Sequence, residues 1–220
     1  MSTLAQLQTR LAARLVDAAN TVFAATTLEE ALRAALSDYT AAAPLTMETL
    51  LILPGAGREI ALNTISGLLG VTDVWWPYDS AAVSPAWPPN RVRGFRVWWD
   101  DAQPVLCLED VDSLEPQAGD ELRLWYTRAH IVQDLDGGAL TTVPAHHESA
   151  LVTGAAGYAA LSENVDQIGA LHLDPTETAD LGRWASARLQ EYAAFLNTLR
   201  AAAPAGGPAF GIGWRMDRYE

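Results

Sequence analysis

Apolar residues recur at helical spacing near both ends of the chain. Leu4, Leu7, Leu11 and Leu15 keep a period of three to four residues, and residues 26–43 continue it in a second predicted helix. After Pro144 the helical period returns and predicts two more helices. The last of these carries one apolar stripe, formed by Leu181, Ala185, Leu189, Tyr192, Leu196 and Leu199.

The middle of the chain changes to an alternating pattern. Phe95, Val97 and Trp99 are separated by Arg96 and Trp98, and residues 121–127 repeat the alternation. Short alternating segments divided by Pro, Gly and Asp predict antiparallel strands in a sandwich or a small barrel.

This order of elements predicts an α+β fold in which a helical bundle, built from both chain ends, receives an inserted antiparallel β module. The bundle is predicted to comprise residues 1–45 and 144–203, and the β module residues 46–143. Residues 204–220 are predicted to form an extended C-terminal arm, since Pro and Gly interrupt any helix there.

Composition narrows the classes of function. The formal net charge is −13, and every basic side chain is an Arg. This excess of negative charge argues against direct binding of nucleic acid, but it is compatible with a surface along which DNA passes without binding. Cys107 is the lone cysteine, which excludes an internal disulfide and a multi-cysteine zinc cluster. No apolar run reaches about 18 residues, so no membrane span is predicted.

Residues 124–162 gather most of the candidate chemistry, including three of the four histidines. His146 and His147 are adjacent, so on a helix their side chains point about 100° apart and do not share an ion. His130 precedes the acidic sequence around Asp136-Gly137, which is typical of a turn rather than a calcium loop. We therefore predict a structural joint, with no catalytic, cofactor or metal site.

Two sets of residues suggest packing surfaces. Gly154, Ala155 and Gly157 would let another helix approach closely, in the same chain or in another subunit. The pairs Trp75-Trp76 and Trp98-Trp99 lie on predicted strands, where neighbouring side chains face opposite sides. One Trp of each pair should therefore face away from the core. Such a Trp could form a protein interface, pack against an aromatic residue of a neighbouring strand or bind a sugar.

Residues 119–161 resemble a segment of the head–tail adaptor (connector) proteins of tailed bacteriophages. In that family a strand leads through a short acidic turn and a Thr-x-Pro step into an Ala-rich helix. The layout of helices around a β module is similar to that of short-tailed phage adaptors. The matching residues are Tyr126, Thr127, Asp134, Asp136, Thr142, Pro144, Gly154, Ala155 and Ala156.

The resemblance implies a structural virion protein without enzymatic activity, made in the host cytoplasm and located in the neck of the particle. It implies a homo-oligomeric, dodecameric ring beneath the portal protein that also meets tail or neck proteins. DNA would pass through the ring without specific binding. Subunit contacts would use Gly154, Ala155, Gly157, Trp76 and Trp98. The arm that grips the portal would use Phe210, Ile212, Trp214, Arg215, Met216, Arg218 and Tyr219.

Two other classes of function stay open on the sequence alone. The clustered Trp residues suit a carbohydrate-binding module or another β module of a virion. A hydrolase using His130 or His147 is the second alternative, although it lacks a complete catalytic constellation.

Overall fold

The α+β prediction is confirmed by the structure, a computed structural model that describes residues 2–17, 19, 21–81, 90–101, 103–109, 115–168 and 175–202. This part of the chain holds four helices and two three-stranded antiparallel sheets. The elements are α1 (Leu4–Arg14), α2 (Ala25–Ala42), β1 (Leu45–Ile52), β2 (Glu59–Ala61), β3 (Leu68–Tyr78), β4 (Phe95–Asp100), β5 (Gln103–Leu108), β6 (Glu121–Arg128), α3 (Glu148–Ile168) and α4 (Pro175–Ala202).

The chain divides into two units. The helical unit comprises residues up to 45 and residues 129–203, and the β unit comprises residues 46–128. The predicted β module ended at residue 143, whereas residues 129–143 group with the helical unit. They belong to the helical unit because hydrogen bonds fix them to α2: His130 N donates to Thr40 Oγ1 at 3.1 Å.

The helical unit has a single apolar core to which all four helices contribute. A capping box between Thr3 and Gln6 starts α1. The turn after α1 is held by the buried Asp17 carboxylate, which accepts hydrogen bonds from Thr21 N, Val22 N and Phe23 N. These bonds, above all the one from Phe23, hold the pKa of Asp17 well below its usual range.

The β unit consists of two sheets with strand orders β1-β6-β3 and β2-β5-β4. Side chains from both sheets join one buried cluster, in which Leu106 and Leu108 of β5 meet Leu122 and Leu124 of β6. The described strands therefore form two facing layers rather than the closed barrel that was the other predicted possibility.

A tight hairpin joins β4 to β5. Trp98 pairs with Val105, and Asp100 pairs with Gln103 at the last register position. Asp101 follows with φ 43°, a left-handed conformation that Asp tolerates and that two-residue hairpin turns require. The hairpin consequently carries two adjacent Trp residues to its end.

Candidate functional site

The segment between β6 and α3, residues 129–147, is a joint built from polar contacts. His130 is buried, and its Nε2 lies 2.9 Å from the carbonyl oxygen of Ala43, at the C-terminal cap of α2. Its Nδ1 lies 3.0 Å from Thr142 Oγ1, which also accepts a hydrogen bond from Ile131 N at 2.9 Å. These contacts fix the entry to α3 against the end of α2.

The start of α3 is tied to the N-terminal segment by Glu148. Its buried carboxylate accepts hydrogen bonds from Ser2 N at 2.8 Å, Ser2 Oγ at 2.7 Å and Arg10 Nη1 at 2.7 Å. Burial alone would raise the pKa of Glu148, but the hydrogen bonds from Ser2 and Arg10 outweigh it and lower the pKa. Glu148 therefore has a structural partner set and is held ionised.

The acidic part of the joint is a turn, as predicted. Asp136 and Gly137 have φ values of 52° and 76°, and Asp134 is also left-handed at 69°. Arg33 of α2 pairs with the Asp136 carboxylate at 2.8 Å. The two aspartates therefore serve the turn geometry and one ion pair with α2.

Two histidines contact the buried Tyr39 of α2, and a third packs on one of them. Tyr39 Oη lies 2.6 Å from His147 Nδ1, and the rings of His130 and Tyr39 are 4.9 Å apart. The ring of His147 also contacts the ring of His146 at 4.1 Å and the ring of Phe195 of α4 at 5.1 Å, measured between centroids. Within the described residues, no three His, Cys, Asp or Glu side chains form a group that could hold a metal ion.

We expect the helical unit to lose stability as the pH falls below 6.5. Burial, with a smaller effect from His146, lowers the pKa of His147 below its usual value of 6.5. The unfolded chain therefore binds a proton that the folded chain resists, and stability decreases with falling pH until the folded pKa is passed. Urea unfolding at pH 7.0 and 5.5 measures this slope, above the range in which carboxylates titrate.

His147→Gln should flatten that pH dependence, because glutamine does not titrate. The matched control His146→Gln keeps Tyr39 and His147 in place and should retain most of the slope. An equal slope in the wild type and in His147→Gln would show that His147 is not the group responsible.

The small residues of α3 pack within the chain itself. A Cβ atom at Gly154 would lie 2.4 Å from Tyr192 Cδ1, and one at Gly157 would lie 2.8 Å from Leu189 Cγ. Ala155 is fully buried in the core of the helical unit. Gly154 and Gly157 therefore admit α4 of the same chain, which was one of the two predicted possibilities, and a role of the three residues between subunits stays a prediction.

The first Trp pair divides between the two faces of its sheet. Trp76 is 6% exposed and lies in the β unit's own core, so it is not available for the predicted subunit contact. Trp75 lies on the opposite face, where the guanidinium of Arg123 stands 5.7 Å from its ring, 5.4 Å from Tyr78 and 4.9 Å from Trp125. Because this face is covered, it does not offer an open platform for a sugar. The sequence analysis had not identified Arg123 as the residue that covers these rings.

The second Trp pair remains open to solvent. Trp98 is 36% exposed and Trp99 is 52% exposed, whereas Phe95 and Val97 of the same strand pack on the core. Trp98 thus keeps the exposure that its predicted role requires, and it shares this exposure with Trp99. Large exposed aromatic side chains of this kind are typical of protein interfaces.

The predicted portal-binding arm lies outside the described residues. Its role stays a prediction that rests on the sequence resemblance. The residues concerned are Phe210, Ile212, Trp214, Arg215, Met216, Arg218 and Tyr219.

Comparison with known proteins gives few matches. No protein-family model and no curated protein matches the chain. Among solved structures, one similar chain comes from the neck of an empty GTA particle computed with C6 symmetry. It shares 17% identity over 80% of this chain and 87% of that chain, with a TM-score of 0.30. Similarity at this level carries no argument about the fold or the role of the protein.

In the described part of the chain, no helix is both long enough and apolar enough to cross a lipid bilayer.

Proposed function

We propose that this chain is a structural virion protein, a head–tail adaptor that forms a ring beneath the portal, extends the DNA channel and joins the tail. The observation that carries the proposal is the course of residues 119–161. The segment that resembles the adaptors runs as strand β6, an acidic turn and the small-residue helix α3, and its polar residues serve the joint.

The side chains considered for catalysis fit this proposal better than they fit an enzyme. His130, His147 and Glu148 each have structural partners: the Ala43 carbonyl and Thr142, the Tyr39 hydroxyl, and Ser2 with Arg10. Groups engaged in this way support the reading of the chain as a non-enzymatic protein.

Charge and exposed surface also support an assembly role. A net charge of −13 would let DNA pass along the ring without specific binding, because an acidic wall repels phosphate. Closed rings use heterologous interfaces, and the ring of this proposal is homo-oligomeric and dodecameric. The arm within residues 204–220 would grip the portal, and other surfaces would meet tail or neck proteins in the virion.

Mass measurement by light scattering tests the proposal, with the chain alone and mixed with the portal protein from the same genome. We expect a stable complex whose mass corresponds to a ring of copies. Deleting residues 204–220 should abolish the complex, whereas a variant with those residues in scrambled order controls for length. Far-ultraviolet circular dichroism should show the same helix and strand signals in the full chain and in both variants, as evidence that the fold is kept.

A monomer that ignores the portal would contradict the adaptor function. The exposed Trp98 and Trp99 would then favour a carbohydrate-binding module, since exposed Trp rings stack on sugars. Quenching of Trp fluorescence by glycans would support that alternative.

A further inference from the structure

The end of the β4–β5 hairpin presents apolar side chains on both of its faces. Trp98 pairs across the strands with Val105, and Trp99 with Pro104. Cross-strand partners share a face, and successive pairs face opposite sides. Ala61 of β2 pairs with Val105, so one apolar row spans three strands. An exposed apolar surface on both faces is unusual for a hairpin whose only role is to close a core.

Among the described Phe, Tyr and Trp side chains, strong exposure is confined to this end of the β unit. Trp75 is buried under Arg123 and Trp125, and Trp76 is buried in the core. Trp98 and Trp99 are the two exposed members of the described tryptophans. The β unit therefore buries Trp75 and Trp76 and leaves Trp98 and Trp99 available for a partner, where aromatic anchors contribute most to affinity.

The charge around the pair is negative. Asp100 and Asp101 are exposed at the tip, and no Arg or Lys occurs in the sequence between Arg96 and Arg123. Arg96 itself is paired with Glu109. Charge complementarity at the hairpin end therefore favours a partner that presents a cationic surface there.

We propose that the hairpin end, defined as Trp98, Trp99, Asp100 and Asp101, docks into a basic, partly apolar recess on the neck protein at the tail side of the ring. This inference rests on the proposed function. There the C-terminal arm serves the portal, so another surface must meet the tail side, and the hairpin end carries the exposed Trp side chains of the described residues. The Trp rings supply the buried contact area, and the two carboxylates select a cationic partner and orient it.

Isothermal titration of the full chain with the purified tail-side neck protein from the same genome tests the proposal. Trp98→Ala and Trp99→Ala should each weaken binding about 30-fold, as expected for an aromatic hot spot. Asp100→Asn with Asp101→Asn should weaken binding several-fold and reduce its dependence on salt. Asn at position 101 preserves the turn, because it also tolerates a left-handed conformation.

Leu50→Ala is the matched control, because Leu50 is an exposed apolar residue on the other sheet, at 41% exposure. It should leave the affinity for the tail-side protein unchanged. The mass of the portal complex, measured in parallel for every variant, should match that of the wild type, because the arm is intact. That measurement also shows that the variants are folded.

Wild-type affinity of the Trp variants for the tail-side protein, with the portal complex intact, would overturn the proposal and leave the adaptor function standing. Loss of ring formation in the Trp variants would also overturn it, because the occupant would then be a second copy. If the wild-type chain binds neither the portal nor the tail-side protein, both the adaptor function and this inference fail.

Discussion

Replacing Gly154 with alanine should lower the free energy of unfolding of the helical unit by about 2 kcal/mol. The added Cβ would lie 2.4 Å from Cδ1 and 2.7 Å from Cγ of Tyr192. That ring cannot swing away, because it is buried and its hydroxyl donates to the Ala35 carbonyl at 2.6 Å. Overpacking should cost about 3 kcal/mol, and the better helix propensity of alanine returns about 1 kcal/mol.

Urea unfolding with hydrogen exchange measures this change and assigns it to a unit. Ser162→Ala, at an exposed position of the same helix, should stay within about 0.5 kcal/mol of the wild type. Gly157→Ala should cost less than Gly154→Ala, because its nearest neighbour, Leu189, is a flexible side chain. If Gly154→Ala were as stable as the wild type, close contact between α3 and α4 would be ruled out as the reason for the glycine.

Truncating Leu124 to alanine should destabilise the β unit by about 3 kcal/mol. Leu124 is fully buried on the central strand of its sheet and pairs with Val74 across β3. Its removal leaves a cavity that the facing sheet fills only in part, so the lost contacts add to the lost burial.

The same truncation at Leu50 is the control, because that side chain lies exposed on β1 of the same sheet. We expect Leu50→Ala to change stability by less than about 0.5 kcal/mol. In the Leu124→Ala variant, hydrogen exchange should accelerate in β3 and β6. Equal stabilities of the two variants would contradict a shared core between the sheets.

The fold class was predictable because the two periods in the sequence are distinct and lie in separate stretches. The boundary between the units was not predictable, because the apolar residues of segment 129–143 follow neither helical nor strand spacing. Their position depends on hydrogen bonds between distant residues, such as the one that His130 N donates to Thr40 Oγ1 and the one that Arg33 donates to Asp136. The local pattern of apolar and polar residues carries no information about hydrogen bonds between residues so far apart in the sequence.

The sequence also did not reveal which face of its sheet each Trp side chain occupies. Side chains of a regular strand alternate between its two faces. Because Val71 is buried, a regular alternation would place Trp75 in the core as well. A register shift between Val71 and Asp73 reverses the alternation, so Val74 and Trp76 face inward instead. The turn at Asp136 and Gly137 was predictable because turn residues act locally. The contact between His147 and Tyr39 was not, because it depends on the folded position of α2.

The insertion of one unit into the other dictates an order of events during synthesis. The described part of the β unit, residues 46–128, is continuous in sequence, so its six described strands have left the ribosome once residue 128 has emerged. The helical unit is discontinuous, and α1 and α2 meet α3 only after more than eighty intervening residues have been made. Closing such a long loop is slow from an open chain, but a finished β unit brings its two ends together. The β unit therefore acts as a built-in assembly aid for the helices that flank it.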